Sequence, residues 1–209
     1  MPVNDPLYPV GLVVAGRPVL VVGGGRVAAR KVADLVACGA RVTVVAPDVD
    51  PALAARDDVV VERRPYRPGE AGDHRLVVTA TGDRAVDAQV FADAEAAGVW
   101  VNSADDPERC TFTLPSVVRR DPVVVAVATG GHSPALATWL RRRLEGELGP
   151  EVGVLAGLLG QARSRVRAEG RSTEDLDWQA LLDGGLLDVL VADGEDAARA
   201  RIDAWLEGS

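Results

Sequence analysis

The stretch Val19-Leu20-Val21-Val22-Gly23-Gly24-Gly25-Arg26-Val27-Ala28-Ala29-Arg30-Lys31 decides the fold class of this chain. An apolar run stops at three glycines, and a helix-prone segment begins immediately afterwards. The spacing Gly23-x-Gly25-x-x-Ala28 fits the dinucleotide-binding fingerprint, with alanine in the last small position. The sequence therefore predicts a strand, a tight glycine turn and a helix that together hold a nucleotide.

Each small residue of this fingerprint has a physical role. Gly23 permits the tight turn out of the strand, and Gly25 has no Cβ, so a pyrophosphate can approach the backbone. Ala28 allows the helix to pack closely on the strand. The unpaired N–H groups and the positive dipole end of the helix would face the phosphates. A β-branched strand before the turn and a second strand at 41–46 favour a nucleotide site over a purely structural turn.

Length and composition narrow the classes of protein. The 209 residues, 47% of them hydrophobic, suffice for one large domain or two small ones. A net charge of −8 and an aromatic content of 4% argue against a nucleic-acid partner. No apolar stretch approaches the roughly 20 residues of a membrane helix, and the start of the chain lacks a basic signal-peptide region. We therefore expect a cytoplasmic protein without a membrane partner.

The cysteines and histidines predict neither a disulfide framework nor a metal site. Cys38 is expected to be a small buried residue near the end of the first helix. Cys110 has no nearby histidine that could act as a base for its thiol. His74 and His132 have no cysteine or histidine at metal-ligand spacing.

The pattern of apolar segments predicts an α/β fold with a Rossmann-like parallel sheet, followed by a β-hairpin and a helical C-terminal part. In the first part, strands are predicted at 10–14, 19–22, 42–46, 59–61, 76–80 and 99–101, and helices at 27–37 and 85–97. The segment 10–14 is expected to pair with the strand that follows it. A hairpin is predicted from 111–118 and 123–129, and helices at 134–148, 154–168, 173–182, 186–191 and 195–206.

Three candidate positions follow predicted strands, where ligands bind in such sheets. Asp48 either holds the ribose hydroxyls or is a solvated turn residue, and the backbone at Pro47 could replace it. No arginine begins this loop to take a 2′-phosphate, which favours NAD over NADP. Thr81 either contacts the nucleotide or caps the next helix. Asp105 or Asp106 could accept a proton beside a hydride acceptor, or both could be turn residues.

A second glycine loop, Gly130-Gly131-His132-Ser133-Pro134, leads into a helix and predicts an anion site. Ser133 can cap that helix and Pro134 suits its first position. Basic residues lie near this loop in sequence, and the role of each is left open: Arg119, Arg120, Arg141, Arg142 and Arg143.

Taken together, these motifs resemble the precorrin-2 dehydrogenase / sirohydrochlorin ferrochelatase family of siroheme biosynthesis. The matching pieces fall in the family's order over residues 8–148, and their combination is more specific than any single motif. They are Tyr8-Pro9-Val10, Val21-Val22-Gly23-Gly24-Gly25-x-Val27-Ala28-x-Arg30-Lys31, Gly39-Ala40-x-Val42-Thr43-Val44, Ala80-Thr81-x-Asp83, Asn102-x-x-Asp105-x-Pro107, Phe112-x-x-Pro115-Ser116 and Ala126-Val127-x-Thr129-Gly130-Gly131-x-Ser133-Pro134-x-Leu136-Ala137.

The resemblance implies an NAD-dependent oxidation of precorrin-2 to sirohydrochlorin, in some members followed by ferrous iron insertion. It implies a homodimer with an NAD-binding domain at 1–110, a dimerisation segment at 111–149 and a helical domain at 150–209. Asp105 would be the proton acceptor. The predicted cofactor-binding residues are Gly23, Gly24, Gly25, Arg26, Val27, Pro47, Asp48 and Thr81. The predicted substrate-binding residues are Asn102, Ser116, Thr129, Gly130, Gly131 and Ser133, and no residue is predicted to be a metal ligand.

Two alternatives remain open at this point. The same fold could oxidise another polyanionic substrate, or the chain could be a regulatory module that senses NAD without turnover. The Asp105 loop and the Gly130-Gly131 loop favour an enzyme, because a sensor needs neither a proton acceptor nor a second anion site.

Overall fold

The computed structural model describes residues 6–208, and the chain folds into two compact units. The first unit contains the residues up to Leu114 together with 130–132, and the second contains Pro115–Thr129 and the residues from Ser133 onward. The predicted fold class is confirmed: a parallel sheet with helices, then a hairpin, then C-terminal helices. The hairpin, its following helix and the C-terminal helices fall within one unit, and the predicted three-part division stays a prediction.

The first unit is built around a parallel sheet in the order β3-β2-β1-β4-β5. Its strands are β1 (Pro18–Val22), β2 (Arg41–Val45), β3 (Val60–Glu62), β4 (Leu76–Thr79) and β5 (Trp100–Ser103). Its helices are α1 (Arg26–Ala37), α2 (Pro51–Ala54) and α3 (Arg84–Ala96), with short 3-10 turns at Glu70–Asp73 and Pro107–Arg109.

Strand β1 explains why both faces of this sheet are covered. Val19 and Val21 pack with α1 and α2 on one face, whereas Leu20 and Val22 pack with α3 on the other. All four side chains are at most 2% exposed. Such a continuous apolar run is typical of a central parallel strand, and it places the carboxyl ends of the strands at one edge.

The predicted strand at 10–14 is wrong. None of these residues is in a strand, and Val10, Leu12 and Val13 are exposed. The physical reason is that both edges of β1 are already occupied, by β2 on one side and β4 on the other. A further strand would have no backbone partners there.

One helix was not predicted, and another begins several residues later than predicted. Helix α2 was not predicted, although Asp50 accepts a hydrogen bond from the Ala52 N–H at 2.9 Å and Pro51 occupies the first helical position. The helix predicted from residue 173 begins at Trp178, because Asp177 caps it and Thr173 is buried outside it.

The prediction that Cys38 is buried is also wrong, since this residue is exposed at the end of α1.

The second unit contains an antiparallel hairpin and five helices. They are β6 (Ser116–Arg120), β7 (Val123–Val127), α4 (Pro134–Glu147), α5 (Glu151–Ala168), α6 (Trp178–Asp183), α7 (Leu186–Asp193) and α8 (Glu195–Glu207). Helices α5 to α8 share one apolar core that includes Leu158, Leu186 and Ile202.

The hairpin is tied to its neighbouring helices by specific contacts. The Arg120 guanidinium donates to the carbonyl oxygens of Leu148 at 2.7 Å and Glu145 at 3.0 Å, which satisfies carbonyls at the end of α4. Gly153 of α5 lies against the hairpin turn so closely that a Cβ there would overlap the Asp121 carbonyl, about 2.5 Å away. The Asp121–Pro122 peptide bond in that turn is cis.

Candidate nucleotide-binding cleft

The glycine turn after β1 is packed on two sides and open on the third. Gly23 has a φ of +124°, and a Cβ there would overlap the carbonyl oxygen of Ala80. A Cβ on Gly24 would overlap the carbonyl oxygen of Asp48. In contrast, a Cβ on Gly25 would meet no protein atom within 4 Å. The first two glycines are therefore required by packing, and the third leaves free space above the turn.

The first turn of α1 borders this free space. The helical hydrogen bonds begin with Ala29 N–H to the Gly25 carbonyl at 3.0 Å. The N–H groups of Arg26, Val27 and Ala28 therefore have no partner within the helix. Ala28 is fully buried against the sheet, which agrees with its predicted packing role. Three backbone donors at the positive end of a helix form a site suited to a phosphate.

A cleft of about 1080 Å³ opens at the carboxyl ends of β1, β2 and β4. Its lining includes every predicted cofactor-binding residue and the predicted proton acceptor: Gly23, Gly24, Gly25, Arg26, Val27, Pro47, Asp48, Thr81 and Asp105. The cleft has the size of a small-molecule cofactor site and lies where the strand order reverses between β1 and β4. The open space at Gly25 and the free N–H groups of α1 fit the pyrophosphate of a dinucleotide.

The two aspartates after β2 have different surroundings. Asp50 is engaged in structure: its side chain caps α2, and its N–H donates to the Gly24 carbonyl at 2.8 Å. Asp48 is exposed in the cleft, and no described residue donates a hydrogen bond to its carboxylate. Asp48 is thus available to ribose hydroxyls, and its cofactor role stays a prediction.

Thr81 does not cap the helix that follows it. The cap of α3 is Asp83, whose side chain accepts from the N–H groups of Ala85 and Val86. The Thr81 hydroxyl instead donates to the buried Asp87 at 2.8 Å and accepts from the Asp83 N–H at 2.9 Å. These bonds fix the loop at the cleft, so the capping alternative for Thr81 is wrong.

The structure separates the two aspartates after β5. Asp106 caps the 3-10 turn through the Glu108 N–H at 3.1 Å and pairs with Arg109 at 3.0 Å. Asp105 is exposed, lines the cleft and has no hydrogen bond to any described residue. Of these two aspartates, only Asp105 therefore presents its carboxylate to a ligand in the cleft.

Asn102 and Cys110 hold the loop that carries Asp105. The buried Asn102 amide donates to the Phe112 carbonyl at 3.0 Å. The Cys110 thiol accepts from the Ser103 N–H at 3.2 Å, and burial raises the pKa of this thiol. Both contacts join β5 to the segment after the 3-10 turn. They give Asn102 a structural role, and its predicted contact with substrate stays a prediction.

In the second unit, Thr129 and Ser133 close the loop that precedes α4. The Ser133 N–H donates to the Thr129 hydroxyl at 3.2 Å, and the Ser133 hydroxyl accepts from the Leu136 N–H at 3.1 Å. Ser116 begins β6 opposite Val127. The intervening Gly130 and Gly131 have φ values of +60° and +84°. The predicted substrate-binding role of these residues stays a prediction.

The basic residues near this loop are largely engaged within the protein. Arg120 binds carbonyls at the end of α4, Arg141 pairs with Glu145 at 2.5 Å, and Arg143 stacks over Trp139 at 5.8 Å. The sequence alone could not separate these structural arginines from ligand-binding ones.

Sequence reasoning missed one wall of the cleft. Pro65, Tyr66 and Pro68, from the irregular segment after β3, line it together with Val86 and Gln89 of α3. The available signal was a tyrosine between two prolines directly after a strand that ends at the ligand edge.

Within residues 6–208, no group of three or more histidine, cysteine, aspartate or glutamate side chains is placed to hold a metal ion. Over the same residues, no helix is both long enough and apolar enough to cross a membrane.

The sheet order, the glycine turn and the cleft define a Rossmann-type dinucleotide-binding protein. Residues 10–116 match the family described as "Putative NAD(P)-binding", and the chain belongs to that family. This membership confirms the predicted NAD-type cofactor.

Curated relatives agree with the resemblance found in the sequence. The chain is 40% identical over 205 residues to a siroheme synthase of Nitrosococcus oceani, covering 96% of this chain and 44% of that protein. It is 40% identical over 190 residues to siroheme synthase 1 of Aeromonas salmonicida, covering 87% of this chain and 40% of that protein. The chain thus spans less than half the length of these relatives.

Among solved structures, the fold is similar to that of SirC, a precorrin-2 dehydrogenase. The TM-score is 0.70 at 24% sequence identity, over 97% of this chain and 98% of the other. This likeness shows a shared fold over nearly the whole chain. The siroheme synthase matches confirm the family resemblance.

Proposed function

We propose that this protein is an NAD-dependent dehydrogenase that oxidises precorrin-2 to sirohydrochlorin in siroheme biosynthesis. The observation that carries the proposal is the position of Asp105. Its carboxylate, which has no hydrogen bond to any residue in the described range 6–208, lines the same cleft as the glycine turn and the start of α1. A dehydrogenation needs a base beside a hydride acceptor, and the cleft provides a place for both. The names of the siroheme synthase relatives supply the substrate class.

The proposed reaction removes two hydrogen atoms from the macrocycle. NAD would supply the hydride acceptor when bound, so the accompanying proton would need a separate acceptor. Asp105 accepts that proton at its carboxylate. The free N–H groups of Arg26 and Val27 bind the pyrophosphate, and Asp48 binds the ribose hydroxyls. The products are sirohydrochlorin, NADH and one proton, which balances the step.

A second activity, insertion of ferrous iron into sirohydrochlorin, is proposed for the same carboxylate. Iron is a substrate in this step, and its entry requires that the two pyrrole N–H protons leave. Asp105 is the group in the cleft with a free carboxylate after β5. One carboxylate that accepts protons in turn from carbon and from nitrogen would serve both reactions.

We also propose that the active form is a homodimer. In the second unit, β7 and α4 expose large apolar side chains: Val124 is 50% exposed, Leu136 47% and Trp139 55%. Exposed apolar groups of this size on neighbouring elements support a protein interface. The dimer would be the assembly that the family resemblance implies.

The test is anaerobic incubation of the purified protein with precorrin-2 and NAD, followed by addition of ferrous iron. NADH formation supports the dehydrogenase, and siroheme formation faster than in an enzyme-free control supports iron insertion. Binding of NAD without any NADH formation would reject the proposal in favour of an NAD-sensing module. NADH formation with another polyanionic substrate alone would reject precorrin-2 as the substrate.

A further inference from the structure

The cleft continues beyond the glycine turn to a wall that the dinucleotide fingerprint does not include. Pro65, Tyr66 and Pro68 form one side of this wall, and Val86 and Gln89 of α3 form the other. The sheet order places β3, from which the first side departs, at the edge opposite β5. A dinucleotide whose reactive ring lies beside Asp105, after β5, would place its second base toward the wall.

Asp93 of α3 fixes both sides of the wall. It accepts from the Tyr66 hydroxyl at 2.8 Å, from the Gly69 N–H at 2.7 Å and from the Gln89 amide at 2.8 Å. The Tyr66 hydroxyl in turn accepts from the Ala71 N–H at 3.2 Å. One carboxylate therefore joins the irregular segment after β3 to the helix, so the wall is held in place before a ligand binds.

The same network determines how the Gln89 amide is oriented. An ionised carboxylate can only accept hydrogen bonds, so the amide nitrogen of Gln89 must face Asp93. The Gln89 carbonyl oxygen then points away from Asp93, and no described residue donates to it. Gln89 is exposed and lines the cleft. The wall consequently combines apolar carbon from prolines and valine with one oriented acceptor.

We propose that this wall is the adenine-recognition subsite, and that Gln89 selects the base through its exocyclic amino group. The flat purine packs against Pro65, Pro68 and Val86, and its 6-amino group donates to the Gln89 carbonyl oxygen. A purine with a carbonyl at this position would place two acceptors face to face. Gln89 therefore distinguishes adenine from hypoxanthine, and Asp93 is the positioning residue behind it. This inference rests on the proposed NAD cofactor.

The experiment compares binding of NAD and nicotinamide hypoxanthine dinucleotide, whose purine carries a carbonyl in place of the 6-amino group and a proton on N1. Isothermal titration of the full chain should show NAD binding roughly three- to tenfold tighter, the effect of one neutral hydrogen bond. Gln89→Leu should weaken NAD to the level of the analogue and remove the difference. Gln179→Leu, which changes an exposed glutamine of α6 outside the cleft, should keep the wild-type ratio.

Equal affinity of the wild-type protein for the two dinucleotides would overturn the adenine assignment while leaving the NAD cofactor intact. A Gln89→Leu variant that still prefers NAD by the wild-type factor would overturn the role of Gln89. Failure of the wild-type protein to bind either dinucleotide would instead reject the cofactor and the subsite together.

Discussion

The carbonyl oxygen of Gly24 accepts the backbone N–H of Asp50 at 2.8 Å, which joins the fingerprint turn directly to the loop after β2. On the same side, the Gly23 N–H donates to the Val45 carbonyl at 2.9 Å. The turn is therefore held by backbone bonds to the neighbouring strand before any ligand is present. This arrangement gives the adjacent glycines different roles, Gly24 in packing and Gly25 in binding.

The first prediction contrasts alanine at these two glycines. Gly24→Ala should lower the free energy of unfolding by about 1–3 kcal/mol, because its Cβ would overlap the Asp48 carbonyl. Gly25→Ala should leave stability within about 0.5 kcal/mol, since its φ of −83° suits alanine and the space is open. The same Cβ would occupy the place of the pyrophosphate, so NAD affinity should fall at least about tenfold. Urea unfolding and calorimetric titration measure the two effects.

Gly25→Ala is the informative member of the pair. Unchanged NAD affinity in a stable Gly25→Ala protein would show that the phosphates lie elsewhere. Loss of stability in that variant would show that Gly25 serves packing after all.

The second prediction separates Asp105 from Asp106. Asp105→Asn should reduce the rate of NADH formation by about 10²–10⁴-fold, the usual contribution of a general base, with NAD affinity unchanged. Asp106→Ala removes the cap and the Arg109 ion pair, and should cost about 1 kcal/mol of stability with a much smaller loss of rate. Single-turnover kinetics with precorrin-2 and thermal unfolding measure the two variants. An Asp105→Asn protein with full turnover would remove Asp105 from the mechanism.

Local sequence signals were sufficient for most of the fold. Strand β1 and helix α1 could be predicted because a fully apolar run, a glycine turn and a helical segment each have a distinct pattern. The prediction of a strand at 10–14 was wrong because strand pairing depends on which strands already flank β1. The flanking strands β2 and β4 are distant from 10–14 in the chain, so local sequence does not show them. The start of α6 was misplaced because Thr173 is buried by tertiary packing, which residue preferences do not show.

For the site, sequence reasoning was effective where a residue directly follows a strand. Asp48, Thr81 and Asp105 line the cleft because the carboxyl ends of parallel strands meet at one edge. It could not identify Tyr66 or Gln89, whose positions depend on hydrogen bonds to Asp93 that join the segment after β3 to helix α3. The cap of α3 was considered at Thr81 alone and is Asp83, and residue type does not separate the two because both can cap a helix.

The third prediction concerns the choice between NAD and NADP. Asp48 is an exposed carboxylate in the cleft and should repel a 2′-phosphate at the ribose. Asp48→Ala should therefore weaken NAD binding several-fold and strengthen NADP binding, so that the preference for NAD falls by about tenfold. Asp57→Ala changes an exposed aspartate that does not line the cleft and should leave the preference unchanged. Titration with both cofactors tests this, and an unaltered ratio in Asp48→Ala would leave the carboxylate as a turn residue.

The fourth prediction concerns assembly. If α4 contributes to a homodimer, Trp139→Lys should place a charge in the interface and shift the mass in light scattering from a dimer to a single 21.9 kDa chain. Trp100→Lys is the matched control, because Trp100 is 54% exposed, as Trp139 is 55% exposed, and lies on β5 of the other unit. A Trp139→Lys protein that keeps the mass of the wild type would move the interface away from this helix.

The last prediction concerns acid stability and the wall of the cleft. The Gly69 N–H, with smaller contributions from Tyr66 and Gln89, holds the pKa of Asp93 below its ordinary value. A carboxyl whose pKa is lower in the folded state stabilises the fold above its unfolded pKa of about 3.9, and this stabilisation disappears as the pH falls through the folded pKa. Asp93→Asn should therefore destabilise the protein at pH 7 and have a progressively smaller effect below about pH 4.

Urea unfolding of the wild-type and Asp93→Asn proteins between pH 7 and pH 3 measures this difference. Asp175→Asn, at an exposed position outside the network, is the control and should change the free energy of unfolding by less than about 0.5 kcal/mol at pH 7. A destabilisation by Asp93→Asn that stays constant across the whole range would mean that the ionised carboxylate does not hold the wall. Because Asp93 also orients Gln89, the same variant should lose the preference for NAD over its hypoxanthine analogue. This loss would show that the Asp93 carboxylate holds the wall of the cleft in addition to stabilising α3.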